Sequence, residues 1–204
     1  MAEAREDQTL NDFLGSAQIF SSAVTDLMVR QLHEVTGDDL TFSQLKLLKM
    51  VSLTKGYSVS NVAQFLGVST AAASRAVDRL VRRGLVIRAE SSDDRRAVEL
   101  SLTPKAQSLL AQYDQAAEAA LERVFGDLSH EQLRQVGDLL DRLSVNIVDR
   151  ENGEDGVCFR CGIHFRDRCL LRQRRSRSCF FHLHQRKAGN GQRGATAPGS
   201  HQTE

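Results

Sequence analysis

The first 157 of the 204 residues contain no cysteine, although four cysteines follow. No stretch approaches the roughly 18 consecutive apolar residues that a membrane-spanning helix needs, which excludes a membrane span. The N-terminus is acidic and polar, with no basic stretch leading into an apolar one, so no secretory signal is visible. We therefore expect a cytoplasmic protein in a reducing environment, where structural disulfides are disfavoured.

No arrangement of residues that would indicate enzymatic chemistry is visible in the sequence. No combination of acid, base and nucleophile appears along the chain. The C-x2-C pair formed by Cys158 and Cys161 lacks the βαβ context of a thioredoxin-like motif. We predict that the protein is not an enzyme and keep a thiol oxidoreductase as the alternative from another class.

Size and charge indicate one domain with an appendage. A domain of about 150 residues buries roughly 70% of its unfolded surface without cross-links. The net charge of +1 conceals an asymmetry, because residues 1–150 hold 17 Lys and Arg against 21 Asp and Glu, whereas residues 151–204 hold 10 against 5. A total charge near zero therefore does not exclude an anionic partner for a local basic patch.

Hydrophobic periodicity predicts a mainly α-helical protein. Apolar residues recur at helical spacing from Leu10 to about Val35, and a second helix opens at Thr41 with capping-box spacing. Two short helices follow, the first over 59–66 and the second beginning after Ser69. The turn G-V-S joins them, as in a helix-turn-helix.

A change of period follows the second short helix, which stops at Gly84. The runs L-V-I-R-A (85–89) and A-V-E-L-S-L (97–102) read as two strands of a hairpin, and helix-turn-helix plus hairpin is a winged helix. Thr103 and Pro104 then start another helix, and a last long helix follows Ser129 to about Arg150.

The predicted organisation has four parts. Residues 8–150 form the winged-helix domain with its dimerisation helices, and about 41–103 form its DNA-binding lobe. Residues 151–157 read as a linker, 158–187 as a small Cys- and Arg-rich segment, and 188–204 as a disordered tail, because the tail has almost no large apolar residue.

Two stretches resemble the MarR (multiple antibiotic resistance regulator) family of winged helix-turn-helix transcription regulators. S-T-A-A-A-S-R-A-V-D-R-L-V-R-R-G-L-V (69–86) is similar to the family's recognition helix, and D-D-R-R-A-V-E-L-S-L-T (93–103) to its wing. The resemblance implies a homodimer that binds a palindromic operator in double-stranded DNA, and we expect a repressor. It also leaves open a small phenolic effector in the junction cleft.

The recognition helix and the wing supply the candidate DNA-binding residues. Short side chains at the helix start let the backbone approach the major groove, whereas arginines four apart share one helix face, and arginines at the wing tip suit the minor groove. The alternatives are a solvated helix face for Arg75 and Arg79 and a salt bridge to Asp94 for Arg96. The candidates are Ser69, Thr70, Ala73, Ser74, Arg75, Arg79, Arg95 and Arg96.

Broad apolar faces on the first and last helices favour a dimer. Any one of these residues could also be buried within a single chain. The candidates for the shared core are Leu10, Phe13, Phe20, Leu139, Leu143 and Ile147.

The four cysteines, Cys158, Cys161, Cys169 and Cys179, have the spacing C-x2-C-x7-C-x9-C. Clustered thiols in a reducing compartment favour a metal site, with a thiol-disulfide switch or idle cysteines as alternatives. The uneven spacing favours a [4Fe–4S] iron–sulfur cluster over structural Zn²⁺.

Other residues of the segment bear on that site. His164, His182 and His184 are near enough in sequence to replace a thiolate, and the flanking arginines are expected to lower the thiol pKa values. The family pattern lacks this segment, so we predict that it is an added input that modulates DNA binding.

Overall fold

The computed structural model describes residues 2–53, 58–90, 98–150, 158–175 and 179–183. They form two compact units, Met1–Leu45 with Ser108–Asp127 and Lys46–Gln107 with Leu128–Glu204. The predicted linker and tail, like His184, lie outside the described residues. The elements are α1 (Ala2–Thr36), α2 (Phe42–Leu53), α3 (Val59–Leu66), α4 (Thr70–Arg82), β1 (Val86–Glu90), β2 (Val98–Leu102), α5 (Pro104–Phe125), α6 (His130–Arg150) and α7 (Leu170–Arg175).

The two helices of the helix-turn-helix begin and end at local capping residues. Ser58 forms a capping box with Asn61 at the start of α3, and Ser69 accepts a hydrogen bond from the Ala72 amide at the start of α4. Gly67 ends α3 in the left-handed conformation, at φ +65°, which costs glycine little. The predicted starts of both helices and the end of α3 are thereby confirmed, whereas α4 ends at Arg82, one residue earlier than predicted.

The wing is a two-stranded antiparallel sheet in which Val86 pairs with Leu102 and Glu90 with Val98. The Thr103 hydroxyl donates to the Gly84 carbonyl at 2.8 Å and accepts from the Ala106 amide at 3.2 Å. One side chain therefore joins the end of the hairpin both to its beginning and to the first turn of α5.

The first unit contains α1, most of α5 and the start of α2. Met28 and Leu32 on α1 and Tyr113 on α5 are buried, whereas residues 8–23 of α1 are mostly exposed. The helix begins at Ala2, eight residues before the apolar pattern begins at Leu10. Hydrophobic periodicity detects only a helix that buries one face. The first residues of α1 form helix without such a pattern, because Ala, Glu and Arg have a high intrinsic helix propensity.

The second unit contains the helix-turn-helix, the wing, α6 and the described part of the cysteine segment. Its buried side chains include Val62 on α3, Val77 and Leu80 on α4, and the adjacent Phe180 and Phe181. The predicted mainly α fold with a winged helix is confirmed. None of the described helices is both long and apolar enough to cross a membrane.

Candidate nucleic-acid interface and cysteine site

The exposed face of α4 carries the candidate base-reading arginines. Arg75 and Arg79 are exposed, four residues apart on one side of the helix, and Arg82 lies near the same face. Ser69 and Thr70, at the helix start, are exposed, and Ser74 is half-buried. Among the described residues, no carboxylate forms an ion pair with Arg75 or Arg79, so both guanidinium groups can reach a polyanion.

One of the predicted contact residues faces the interior instead. Ala73 has a relative exposure of 0%, and with Val77 and Leu80 it forms the buried stripe of α4. Its side chain therefore cannot touch DNA, and that prediction is corrected. A small side chain at this position is as well explained by close packing as by close approach to DNA.

The wing adds one residue that the sequence patterns did not single out. Arg88 on β1 forms a salt bridge to Asp78 on α4, with 3.0 Å between Nη1 and Oδ1. This bridge links the hairpin to the candidate recognition helix. Arg95 and Arg96 at the wing tip lie outside the described residues, so their DNA contacts stay predictions.

All four cysteines line one cavity of about 290 Å³, which we call the thiol cavity. The thiols are free and half-buried. Backbone hydrogen bonds hold them: the Phe180 amide donates to the Cys158 carbonyl at 3.2 Å, the Gln173 amide to that of Cys169 at 3.2 Å, and the His164 amide to that of Cys161 at 3.0 Å. Residues far apart in sequence therefore bring their sulfurs to one place.

The thiol cavity is also lined by charged and polar side chains. Asp141 and Ser144 of α6 contribute, together with Arg160, Arg166 and Arg172. Arg166 donates a hydrogen bond to Asp141, which raises the pKa of the Arg166 guanidinium and holds the segment on α6. Arg168 reaches Asp138 of the same helix at 3.8 Å.

The expected lowering of the thiol pKa values is wrong for Cys161. Burial, with smaller contributions from the neighbouring sulfurs of Cys179 and Cys158, raises the pKa of its thiol to about 11. Desolvation and the proximity of the other thiols therefore outweigh the flanking arginines. The shift also indicates that the four sulfurs share one electrostatic environment.

His164 and His182 are not among the residues that line the thiol cavity. His164 is half-buried, and burial lowers the pKa of its imidazole, with a smaller contribution from Lys49. The His182 ring lies 5.4 Å from that of Phe165, and its Nε2 atom is buried without a hydrogen-bond partner in the described part of the chain. Within that part, no three His, Cys, Asp or Glu side chains are arranged to hold one metal ion.

An aromatic cluster packs the cysteine segment against the helix-turn-helix. The ring of Phe65 on α3 lies 5.9 Å from that of Phe159 and 6.4 Å from that of Phe181. Phe180 completes the cluster at 4.5 Å from Phe159, and both Phe180 and Phe181 are only 1% exposed. Sequence reasoning missed this contact, although four of the nine phenylalanines fall within 158–183.

Comparisons with known proteins agree with the fold. The model of the MarR family matches residues 38–97, a range without cysteine. An uncharacterized HTH-type transcriptional regulator of Bacillus subtilis, YfiV, is 30% identical over 126 residues, which is 62% of this chain and 79% of the relative.

Two solved structures share the architecture. That of Streptococcus pneumoniae FabT in complex with DNA is 24% identical, with a TM-score of 0.57 over 70% of this chain and 97% of FabT. That of RV1404 from Mycobacterium tuberculosis is 21% identical, with a TM-score of 0.57 over 65% of this chain and 91% of the other.

Proposed function

Because the chain belongs to the MarR family, we propose that it is a homodimeric DNA-binding repressor whose hold on its operator depends on a metal centre in the cysteine segment. Members of the family are transcription regulators, not enzymes. DNA binding is the output in this proposal, and the state of the four cysteines is the input.

The exposed face of α4 supports the DNA-binding part. A recognition helix reads base edges with residues near its N-terminus, and Ser69 and Thr70 stand there, with Arg75 one turn further on. Arg79 lies on the same face and can reach a phosphate or a base. FabT, which has a similar fold, is known in complex with DNA.

Exposed apolar side chains on α1 and α6 support the dimer. Leu10 and Phe20 on α1 are 57% and 51% exposed, and Ile147 on α6 is 62% exposed. Apolar surface of this extent is typical of a protein interface. In a dimer, two copies of α4 about 34 Å apart would meet successive major grooves.

The thiol cavity supports an iron–sulfur cluster over a single zinc ion. In a tetrathiolate zinc site the Zn–S bonds are about 2.3 Å, which places the sulfurs roughly 3.8 Å apart around one point. Here all four cysteines line one cavity of about 290 Å³, which leaves room for more than one metal atom between them. In a [4Fe–4S] site each thiolate binds a different iron, which suits this arrangement; when bound, such a cluster supplies a one-electron redox centre.

The contact between Phe65 and the cysteine segment is the main observation that supports coupling between the state of the cysteines and DNA binding. Phe159 follows Cys158 directly, and Phe181 lies two residues after Cys179. A change in how these two cysteines are held therefore moves rings that pack on α3. Asp141 and Asp138 tie the same segment to α6, so the segment contacts both a helix of the DNA-binding lobe and a helix proposed to dimerise.

The test begins with anaerobic purification of the full chain and measurement of iron, acid-labile sulfide and zinc. We expect iron and sulfide; stoichiometric zinc without iron would overturn the cluster. The loaded protein, the chelator-treated protein and the Cys161→Ser variant are then titrated against a palindromic duplex that the full chain selects from a random pool. Affinities differing about tenfold or more are expected, and equal affinities would make the segment purely structural.

A thiol-disulfide switch is the second candidate, and one pair of cysteines favours it. Cys158 and Cys179 face each other in an isolated β-bridge, and paired strands lie about 4.8 Å apart, within the Cα separation that a disulfide needs. Oxidation by a peroxide would form the S–S bond, release two protons and two electrons, and reduce the peroxide to water. Mass spectrometry of alkylated, peroxide-treated protein detects this bond.

A further inference from the structure

Arg172, on α7, has a buried hydrogen-bond donor without a partner. Its Nε atom is inaccessible to solvent and unpaired within the described residues, while its Nη2 donates to the Asp167 carbonyl at 3.2 Å. A buried guanidinium N–H without an acceptor is unfavourable, so such groups in native proteins call for a specific explanation. The donor needs an acceptor that the described part of the chain does not provide.

The surroundings of Arg172 indicate what that acceptor is. The residue lines the thiol cavity with the four cysteines and Arg160 and Arg166. Arg166 is engaged by Asp141, and its orientation is thereby fixed toward α6. The Asp167 carbonyl accepts a hydrogen bond from Nη2 of Arg172, which leaves Nε–H as the buried donor of a residue that lines the same cavity as the four cysteines.

Electrostatics favours a cation at this position. Four thiolates around a metal cluster carry a net negative charge, and hydrogen bonds to the sulfurs help to set the reduction potential of such a centre. Asp141, which also lines the cavity, is already paired with Arg166. The charge of Arg172 is therefore not cancelled by that carboxylate.

We propose that Arg172 donates its Nε–H to a sulfur of the metal centre and raises the centre's reduction potential. The inference rests on the proposed iron–sulfur site and names a residue that controls it. Reduction adds one electron from an external low-potential reductant and transfers no proton, so the centre becomes more negative by one unit. A fixed positive charge and an N–H donor at the sulfur stabilise that state more than the oxidised one.

The experiment compares Arg172→Gln and Arg172→Lys with the control Arg168→Gln in the anaerobically loaded full chain. Arg168 is 69% exposed, does not line the thiol cavity and lies next to Cys169, so its replacement removes the same charge without the buried donor. Each protein is titrated with dithionite in the presence of redox dyes and monitored by visible absorption. The midpoint potential is thus measured independently of DNA binding.

Arg172→Gln is expected to shift the midpoint to a more negative potential by at least about 59 mV. For one electron, this shift is a tenfold change in the ratio of reduced to oxidised protein. Arg172→Lys should shift it less, and Arg168→Gln should stay close to wild type. An unchanged midpoint in Arg172→Gln, or an equal shift in Arg168→Gln, would overturn the role of Arg172.

A failure to load is also decisive. In one outcome Arg172→Gln takes up no iron while Arg168→Gln loads fully. The proposal then requires that Arg172→Lys takes up iron, and a failure of Arg172→Lys to load would refute it. If the wild-type chain holds zinc and no iron, the proposed cluster fails by itself. The hydrogen bond from Arg172 to a sulfur is then tested by the affinity of the protein for zinc, which should fall about tenfold in Arg172→Gln and not in Arg168→Gln.

Discussion

The ring of Phe65 lies 5.9 Å from the ring of Phe159, although 94 residues separate them in the chain. Phe65 belongs to the first helix of the helix-turn-helix, and Phe159 follows the first cysteine. Aromatic pairs of this kind contribute about 0.5 to 1.5 kcal/mol beyond the area they bury. The contact therefore makes the cysteine segment part of the DNA-binding unit.

Replacement of Phe65 tests that link. Phe65→Ala should keep the metal content of the wild type but reduce the difference in DNA affinity between loaded and chelator-treated protein several-fold, because α3 loses its contact with the segment. Fluorescence anisotropy with a labelled operator duplex measures both affinities. Phe65→Leu, which keeps most of the apolar volume, should give an intermediate difference; a full wild-type difference in Phe65→Ala would exclude this route.

Replacement of an arginine on the exposed face of α4 is expected to weaken DNA binding more than replacement of an exposed arginine elsewhere. Arg75→Ala or Arg79→Ala should cost about 1 to 3 kcal/mol of binding and relax specificity if the side chain reads a base. A phosphate contact would instead lower the salt slope by about 0.9. Binding isotherms at several salt concentrations distinguish these outcomes. Arg123→Ala, at the exposed end of α5, is the control and should bind like wild type.

The exposed apolar face of α6 predicts the effect of a charge on assembly. Leu139→Glu should convert the dimer to a monomer, because a carboxylate cannot be buried in an apolar interface without a partner. Light scattering after size-exclusion chromatography measures the mass, and circular dichroism checks that the helices persist. Glu122→Gln, on an exposed position of α5, provides a comparison that should stay dimeric. A monomeric wild type at micromolar concentration would contradict the proposed assembly.

Tyr113 predicts a loss of stability at alkaline pH. Burial, with a smaller contribution from Asp114, raises the pKa of its phenol from 10.0 to about 12 in the folded chain. Between these values the unfolded chain has lost the proton that the folded chain keeps, so the free energy of unfolding falls as the pH rises, by up to about 2 to 3 kcal/mol. Below about pH 10 the phenol keeps its proton in both the folded and the unfolded chain, so no stability is lost through its ionisation.

Tyr113→Phe lacks this ionisation and should lose less stability than wild type when the pH rises from about 9 to about 11. Urea unfolding followed by circular dichroism at the two pH values measures the difference. Equal losses in both proteins would show that Tyr113 ionises alike in the folded and unfolded chain.

Local signals predicted the helix-turn-helix because each boundary depends on neighbouring residues. Ser58, Ser69 and Gly67 cap their helices through contacts a few residues away, and such contacts are visible in a short stretch of sequence. Ala73 shows the limit of that reasoning, because a small side chain suits both a DNA-facing and a core-facing position. Only the three-dimensional packing of α4 distinguishes the two.

The cysteine segment was harder to predict, because its surroundings come from distant parts of the chain. The spacing of the four cysteines indicated a shared site, and all four do line one cavity. The contact with Phe65 and the pairing of Asp141 with Arg166 depend on tertiary structure, and no local period reveals them. The raised pKa of Cys161 likewise follows from burial, which arginine-rich composition had obscured.

The backbone bridge between Cys158 and Cys179 closes the segment from its two ends. A protease cut between Cys169 and Cys179 would spare every residue of α4 and the wing, yet it would separate the last thiol from the other three. The clipped protein would keep its DNA-binding residues, but its affinity for the operator would no longer respond to the state of the cysteines. Limited proteolysis in a cell would therefore convert a regulator that responds to a signal into one whose affinity for DNA is constant.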